Sequence, residues 1–236
     1  APEEGVPAKV TKRVMKDLDS IYFPDKFVVP YLDIVHNRAV AEVLRGCIRG
    51  CRFCQAGFIY RPFREKSVGT INQQCKALCE STGYDEISLS SLSTSDYREL
   101  NPLLDELLSW TEEEHVGVSL PSLRVDNFST EVMDKIRTVR RSGLTFAPEA
   151  GTQRLRDVIN KNVTEEELMK TVSTAFRGGW NSVKLYFMIG LPTETLEDVA
   201  GIVDLGQKVV DAFYENPERP KGKGVSVSVS ASGFVP

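Results

Sequence analysis

Hydrophobic and polar positions alternate in two ways along this chain from about residue 39 onward. Short apolar runs rich in Val, Ile and Leu are typical of strands, and several are apolar on both faces, as in parallel strands covered by helices. Longer stretches between them repeat hydrophobic residues at helical spacing. The predicted strands cover residues 39–44, 86–90, 116–120, 144–147, 182–189 and 225–229. The predicted helices cover residues 71–81, 100–110, 130–142, 164–176 and 196–214.

This order of elements predicts an α/β fold built from parallel strands with helical connections. Six such strands form either a doubly wound sheet or a barrel-like arc, and in both the carboxyl ends of the strands carry the functional residues. Two helices also carry end signals. Thr164 and Glu167 have the spacing of a capping box, and Ser129 and Gly143 are expected to cap the helix over 130–142 at its start and end.

The first part of the chain differs from the rest in composition. Residues 1–35 are mostly polar at first and contain several prolines, which predicts a linker or an arm that packs on a domain covering residues 36–236. The chain begins at Ala1 and stops at Pro236, directly after a predicted strand. We therefore interpret it as a fragment of a longer protein, in which residues 1–35 connect to an upstream domain.

Composition narrows the class of protein. With 41% hydrophobic and 26% charged residues in 236, the chain has the make-up of a globular domain. No apolar run approaches the ~18 residues that a membrane span needs. The net charge of −4 gives no general attraction to nucleic acid. Three of the five cysteines lie within eight residues, which favours a metal site in a reducing, cytoplasmic compartment over a secreted disulfide scaffold.

The clustered cysteines follow the first predicted strand directly. Cys47, Cys51 and Cys54 form the pattern C-x3-C-x2-C, and closely spaced loop cysteines of this kind hold cubane iron–sulfur clusters. Three ligands on a four-iron cluster leave one iron open for chemistry. A zinc site is the alternative and requires a fourth ligand, for which His36, His115, Cys75 and Cys79 are available. Cys75 and Cys79 are better explained as buried residues of a helix.

The cysteine loop in its β/α context resembles the radical S-adenosylmethionine (radical SAM) superfamily. The resemblance covers about residues 36–236 and includes a second motif, Gly-Leu-Pro-x-Glu-Thr over residues 190–195, after the fifth strand. The run from Tyr186 to Pro192 is similar to the cobalamin-associated branch, and residues 146–152 resemble a segment that contacts ribose in methylthiotransferases. The resemblance implies a partial (β/α)6 TIM-like barrel, a [4Fe–4S] cluster on the three cysteines, and SAM on the open iron. SAM is then cleaved reductively to a 5′-deoxyadenosyl radical, which needs an electron donor.

The same resemblance implies SAM contacts at several strand ends. The Gly-Gly-Glu motif that often follows the second strand in the family is absent here, and serines occupy the stretch. Lys161 stands where related methylthiotransferases often have arginine. No residue that abstracts or donates hydrogen can be assigned. The implied cofactor-binding residues are Phe53, Ser90, Ser91, Ser122, Arg124, Glu149, Met188 and Ile189.

A basic segment follows the cysteines. The span from Arg45 to Lys66 contains six basic residues and one acid, with Tyr60 and Phe63 between them, a pattern typical of surfaces that bind RNA. The alternative is that these arginines bind loop carbonyls and acidic neighbours. The sequence therefore predicts a radical SAM enzyme core that transfers a methyl or methylthio group to RNA or another macromolecule, with cobalamin on the upstream domain.

Two other functions stay open on the sequence alone. One is a radical rearrangement or ring formation on a small molecule. The other is a module that binds an iron–sulfur cluster and SAM without turnover, which the missing Gly-Gly-Glu motif favours. Reductive cleavage of SAM distinguishes this binding module from both enzyme functions, group transfer and radical rearrangement.

Overall fold

The computed structural model of the protein describes residues 4–24, 26–32, 34–121, 123–125, 131, 135, 144–219 and 222–236. The strands are β1 (Ala39–Glu42), β2 (Leu44–Arg45), β3 (Arg64–Glu65), β4 (Glu86–Ser90), β5 (Gly117–Ser119), β6 (Leu144–Glu149), β7 (Ser182–Ile189) and β8 (Ser226–Gly233). The helices are α1 (Ala56–Ile59), α2 (Val68–Thr82), α3 (Leu100–Thr111), α4 (Gln153–Val158), α5 (Glu165–Arg177) and α6 (Leu196–Glu215). In the described part of the chain, no helix has the length and apolarity to cross a bilayer.

The six predicted strands are confirmed and pair in parallel. β1, β4 and β5 form one three-stranded sheet, and β6, β7 and β8 form a second, each in chain order. The register places Glu42 opposite Ser90 and Ile189 opposite Gly233, so the carboxyl ends of neighbouring strands lie level. A short antiparallel pair, β2 with β3, interrupts this order beside the cysteines. The result is the mixed α/β architecture of a partial (β/α)6 TIM-like barrel.

Burial separates the two faces of the strands. On β7, Val183, Leu185 and Phe187 are buried against the helices, whereas Lys184 and Tyr186 are exposed on the opposite face. The helix-covered side is the main core, where the rings of Phe176 on α5 and Phe213 on α6 meet edge-on at 5.2 Å. Since burial of apolar area is the dominant stabilising term, the core sets the positions of the strands. The opposite face of β7, which carries Lys184 and Tyr186, remains accessible.

The helix ends and the two isolated cysteines follow the sequence predictions. Thr164 Oγ1 accepts a hydrogen bond from the Glu167 amide at 3.1 Å, and the Glu167 carboxylate accepts one from the Thr164 amide at 2.8 Å, which confirms the capping box. Cys75 and Cys79 are buried in α2, and burial raises their pKa to about 12 and about 11. Most of the helix predicted over 130–142, with its caps at 129 and 143, lies outside the described residues.

The capping box gives a first prediction. We expect Thr164→Ala to lower the free energy of unfolding by about 1 kcal/mol, because the helix loses the side chain that satisfies its free N-terminal amides. Urea unfolding of the chain measures the change. Thr174→Ala, inside the same helix, is the matched control and should have little effect. Equal stabilities for the Thr164 variant and the unchanged chain would show that the box does not stabilise α5.

Candidate functional site

The cysteine loop leaves the barrel through a turn that only glycine fits. Gly46 has a φ of 87°, and a Cβ atom there would lie 2.8 Å from the carbonyl oxygens of Tyr60 and Pro62. A non-glycine residue would therefore be strained in its backbone and would also collide with the segment after α1. The turn places Cys47 at the carboxyl side of the first strand.

Contacts from distant parts of the chain hold the loop over residues 47–54 on both sides. The Arg49 guanidinium binds the buried Asp96 carboxylate through two nitrogens: Nε donates to Oδ2 at 3.0 Å, and Nη2 donates to Oδ1. Asn160 Nδ2 donates to the Gly50 carbonyl oxygen at 2.8 Å, and the Arg52 amide donates to Ile159 at 2.9 Å. These contacts anchor the loop to the segments that follow β4 and α4. Sequence reasoning missed Asp96, since one acid in a polar loop carries no local signal.

The three thiols have the chemistry that a cubane cluster needs. Cys51 is buried, whereas Cys47 and Cys54 are half-buried, and none of them forms a disulfide. Burial raises the pKa of Cys51, and the positive charges of Lys161 and Arg124 counteract this rise. Among the described residues, no three His, Cys, Asp or Glu side chains converge on a single ion. A cubane cluster differs because its thiolates bind separate iron atoms. The donor set of three reduced thiols, one of which lies near two cations, fits such a cluster.

Four of the implied SAM contacts lie together beside this loop. Glu149 ends β6 with a φ of 71°, and its carboxylate pairs with Lys161 Nζ at 3.2 Å. The same ammonium lies 5.7 Å from the centre of the Phe53 ring, and the Arg124 guanidinium donates to the Lys161 carbonyl at 3.2 Å. Phe53 and Met188 pack on one small apolar cluster. The structure thus brings Phe53, Arg124, Glu149 and Met188 to one side of the cysteine loop.

The other implied contacts lie elsewhere or outside the described residues. Ile189 ends β7 and is 41% exposed. Ser90 ends β4 and Ser91 follows it. The Ser91 hydroxyl shares a hydrogen bond of 2.8 Å with Thr94, and both serines line a separate cavity. Ser122 lies outside the described residues. The assignment of all eight side chains to SAM stays a prediction.

The basic residues between Arg45 and Lys66 contact loop carbonyls and acidic or polar side chains of the chain itself. Arg45 forms an ion pair with Glu42 at 2.8 Å, and the buried Lys66 donates a hydrogen bond from Nζ to Gln74 Oε1 at 2.8 Å. Arg61 donates to the carbonyl of Arg49 at 2.9 Å. The remaining arginines contact Asp96 or loop carbonyls. These contacts fix the loops, and an RNA partner stays a prediction.

A hydrogen-bond network centred on the buried Asp198 lies close to Glu149, and sequence reasoning did not predict it. Asp198, only 2% exposed on α6, accepts hydrogen bonds from Thr152, Arg154 and Thr195, the last at 2.8 Å from both its amide and its hydroxyl. Gly151 lies so close to α6 that a Cβ atom would be 2.3 Å from the Ile202 amide nitrogen. The segment after β6, which begins directly after Glu149, is therefore fixed to the first turns of α6. The spacing of Thr195 and Asp198, a second capping box, is the sequence signal that could have revealed it.

This network predicts a dependence of stability on acid. Burial alone would raise the pKa of Asp198, but hydrogen bonds from Arg154, Thr152 and Thr195 outweigh it, so the pKa lies below its ordinary value. The unfolded chain then binds the proton more readily than the folded one, so stability is full above the ordinary carboxyl pKa and falls as pH drops below it. We expect Asp198→Asn to unfold at lower urea at pH 7 and to lose less stability between about pH 5 and pH 3.

The exposed Asp204, on the same helix, provides the control for that measurement. Asp204→Asn should retain the stability and the acid dependence of the unchanged chain. An unaltered acid slope in Asp198→Asn would show that its carboxylate is not favoured in the folded state.

Comparison with known proteins extends these observations. The sequence model of the Radical SAM superfamily matches residues 41–206. An uncharacterized protein of Methanocaldococcus jannaschii is 35% identical over 185 residues, which are 76% of this chain and 40% of that protein. A protein of Archaeoglobus fulgidus with the name probable threonylcarbamoyladenosine tRNA methylthiotransferase is 27% identical over 170 residues, 67% of this chain and 39% of its own. The chain spans about two fifths of the length of these relatives.

The fold has a counterpart among solved structures. A radical SAM methyltransferase, TsrM from Kitasatospora setae, was solved with cobalamin and a [4Fe–4S] cluster bound. It aligns with a TM-score of 0.63 over 82% of this chain and 34% of its own, at 13% identity. This likeness concerns the fold. The family match over residues 41–206, which includes the three cysteines after the first strand, shows that the chain belongs to the radical SAM superfamily.

Proposed function

We propose that this chain is the catalytic core of an enzyme that cleaves one SAM reductively to activate an acceptor. The acceptor then receives a methyl group from a second SAM, or a methylthio group whose sulfur comes from a separate sulfur donor. Cys47, Cys51 and Cys54 would hold the [4Fe–4S] cluster. With one electron from an external donor, the bound cluster supplies the chemistry that splits SAM into methionine and a 5′-deoxyadenosyl radical. The observation that carries the proposal is the clamped three-cysteine loop at the carboxyl side of the first strand, in a chain that the family model matches over residues 41–206.

The residues beside the loop have chemistry suited to SAM. Glu149 presents a carboxylate that can accept hydrogen bonds from two ribose hydroxyls. Lys161 and Arg124 place positive charge beside the Cys51 thiol, where it favours the thiolate that ligates iron. Phe53 and Met188 provide an apolar wall for the adenosyl part.

The type of group transferred rests on the relatives. The name of the Archaeoglobus fulgidus relative is that of a tRNA methylthiotransferase, and the TsrM structure is that of a methyltransferase. For this chain we propose transfer of a methyl or methylthio group to RNA, with cobalamin on a domain outside the chain. Binding of RNA that weakens steeply with salt would support this acceptor, because phosphate contacts release counterions. Binding that is absent or insensitive to salt would contradict it.

Anaerobic reconstitution tests the core of the proposal. The chain is treated with iron and sulfide, reduced with dithionite in the presence of SAM, and assayed for 5′-deoxyadenosine by chromatography. We expect about four iron atoms per chain and formation of 5′-deoxyadenosine. A chain that retains no iron would overturn the cluster assignment. A chain that binds the cluster and SAM without cleavage would be a binding module and not an enzyme core.

A further inference from the structure

A cavity of about 700 Å³ opens beside the ends of β1 and β4, next to the proposed SAM site. Its floor includes Ser90 at the end of β4, Ser91 after it, and Gly46 at the cysteine turn. Its other wall comes from Lys12, Arg13 and Met15, which precede the part of the chain that the family model matches. Residues 1–35, called the leader from here on, are therefore part of a site at the strand ends.

Specific contacts hold this part of the leader on the barrel. Lys12 Nζ donates to the carbonyl oxygens of Ile59 and Arg61, the latter at 3.1 Å. Arg64 donates to the Met15 carbonyl at 2.8 Å. Further along, Leu18 is 1% exposed, and the Asp19 carboxylate accepts a hydrogen bond from the Ser67 amide at 2.8 Å. The leader is thus held on the barrel both at the residues that line the cavity and at the residues that follow them.

The charge of the lining is strongly one-sided. The lining contains four cations and one carboxylate, that of Glu42, and therefore has an excess of three positive charges. These cations are Lys12, Arg13, Arg45 and Arg64. Arg45 and Glu42 form an ion pair at 2.8 Å and offset each other. The bonds that Lys12 and Arg64 make to carbonyl oxygens satisfy their donors without cancelling their charge. The cavity therefore attracts an anion.

The size and the remaining lining specify the anion further. The volume suits a ligand the size of one nucleotide, since small-molecule sites occupy about 300–1,000 Å³. Met15, Leu44, Tyr60 and Leu92 supply apolar surface. A carboxylate brings one negative charge, whereas a phosphate monoester brings about −1.5 to −2 at neutral pH and matches the guanidinium donors.

We infer that this cavity, completed by the leader, binds a phosphate ester of the substrate, with Arg13 as the phosphate-binding side chain and with Lys12 and Arg64 supplying positive charge beside it. The inference rests on the proposed function, because it assigns a substrate class to the same group of strand ends. The phosphate belongs either to a free nucleotide or to a nucleotide within RNA. The phosphate chemistry at the site is common to both sources.

Binding to the full chain tests this without any cluster or turnover. Isothermal titration calorimetry compares adenosine 5′-monophosphate with adenosine, which lacks only the phosphate. We expect the monophosphate to bind at least tenfold more tightly and to weaken with salt. A single-stranded adenylate RNA is the second arm. Tighter binding of RNA than of monophosphate identifies RNA as the source, and the reverse order identifies a free nucleotide.

Variants at the leader locate the site. Arg13→Gln leaves the Lys12 and Arg64 anchors intact, and we expect it to weaken monophosphate binding about tenfold, with Arg13→Glu weaker still. Lys9→Gln and Lys16→Gln remove the same charge from exposed leader positions outside the cavity lining and should bind as the unchanged chain does. Circular dichroism confirms that each variant is folded.

Three results would overturn the inference. These are equal binding of adenosine and its monophosphate, unchanged binding by both Arg13 variants, and displacement of the monophosphate by SAM, which would make the cavity part of the SAM site. Failure of SAM cleavage with intact monophosphate binding would reject the proposed function alone. Intact SAM cleavage without phosphate-dependent binding would reject this inference alone.

Discussion

Replacing Cys47, Cys51 or Cys54 by alanine is expected to abolish formation of 5′-deoxyadenosine in the reconstituted chain. Each thiol would ligate one iron, and the loop offers no second cysteine to take its place. Loss of one ligand exposes a further iron and leaves the cluster unstable. The expected readouts are iron content after desalting, the electron paramagnetic resonance signal of the reduced cluster, and 5′-deoxyadenosine by chromatography, all near background.

Cys75→Ala and Cys79→Ala are the matched controls for this series. Both thiols are buried in α2, where burial disfavours the thiolate form that iron requires. We expect these variants to retain the iron content and the SAM cleavage of the unchanged chain. If a loop variant retained its iron while a helix variant lost it, the assignment of the cluster to the loop would be wrong.

The second large effect is on folding. Gly151→Ala is expected to lower the free energy of unfolding by more than about 4 kcal/mol, or to prevent folding. The new Cβ atom would lie 2.3 Å from Ile202 N, 2.4 Å from the Gly201 carbonyl carbon and 2.6 Å from the Asp198 carbonyl oxygen. All three are backbone atoms of α6, so no side chain can turn away to make room. Urea unfolding and the soluble yield of the chain measure the effect.

Gly69→Ala is the control for that substitution. Gly69 is exposed in the first turn of α2, and a Cβ atom there meets nothing within 4 Å. Alanine at this position should leave stability equal or raise it by up to about 1 kcal/mol, because alanine favours helix. A Gly151→Ala chain as stable as Gly69→Ala would show that α6 can move away from the segment after β6, and that this contact does not position Glu149.

The order of the strands and helices and the position of the cysteine motif could both be predicted from local sequence patterns. The strands and helices follow from the period of the hydrophobic residues, because a strand buried between layers and an amphipathic helix each repeat their apolar positions locally. The Cys47–Cys54 loop is equally local, since its three thiols lie within eight residues. The capping box at Thr164 needs only residues three apart. All of these signals lie within a short window of sequence.

The contacts that hold the site in shape could not be predicted in this way, and they became visible in the three-dimensional fold. Arg49 pairs with Asp96, Asn160 with Gly50, and Asp198 with Thr152 and Arg154, across separations of 44 to 110 residues. A single polar residue has many possible partners, and neither its type nor its period says which one the fold brings near. The same holds for the leader, whose polar composition predicted a linker or a packed arm. Its role as the cationic wall of a cavity depends on which strand ends it meets.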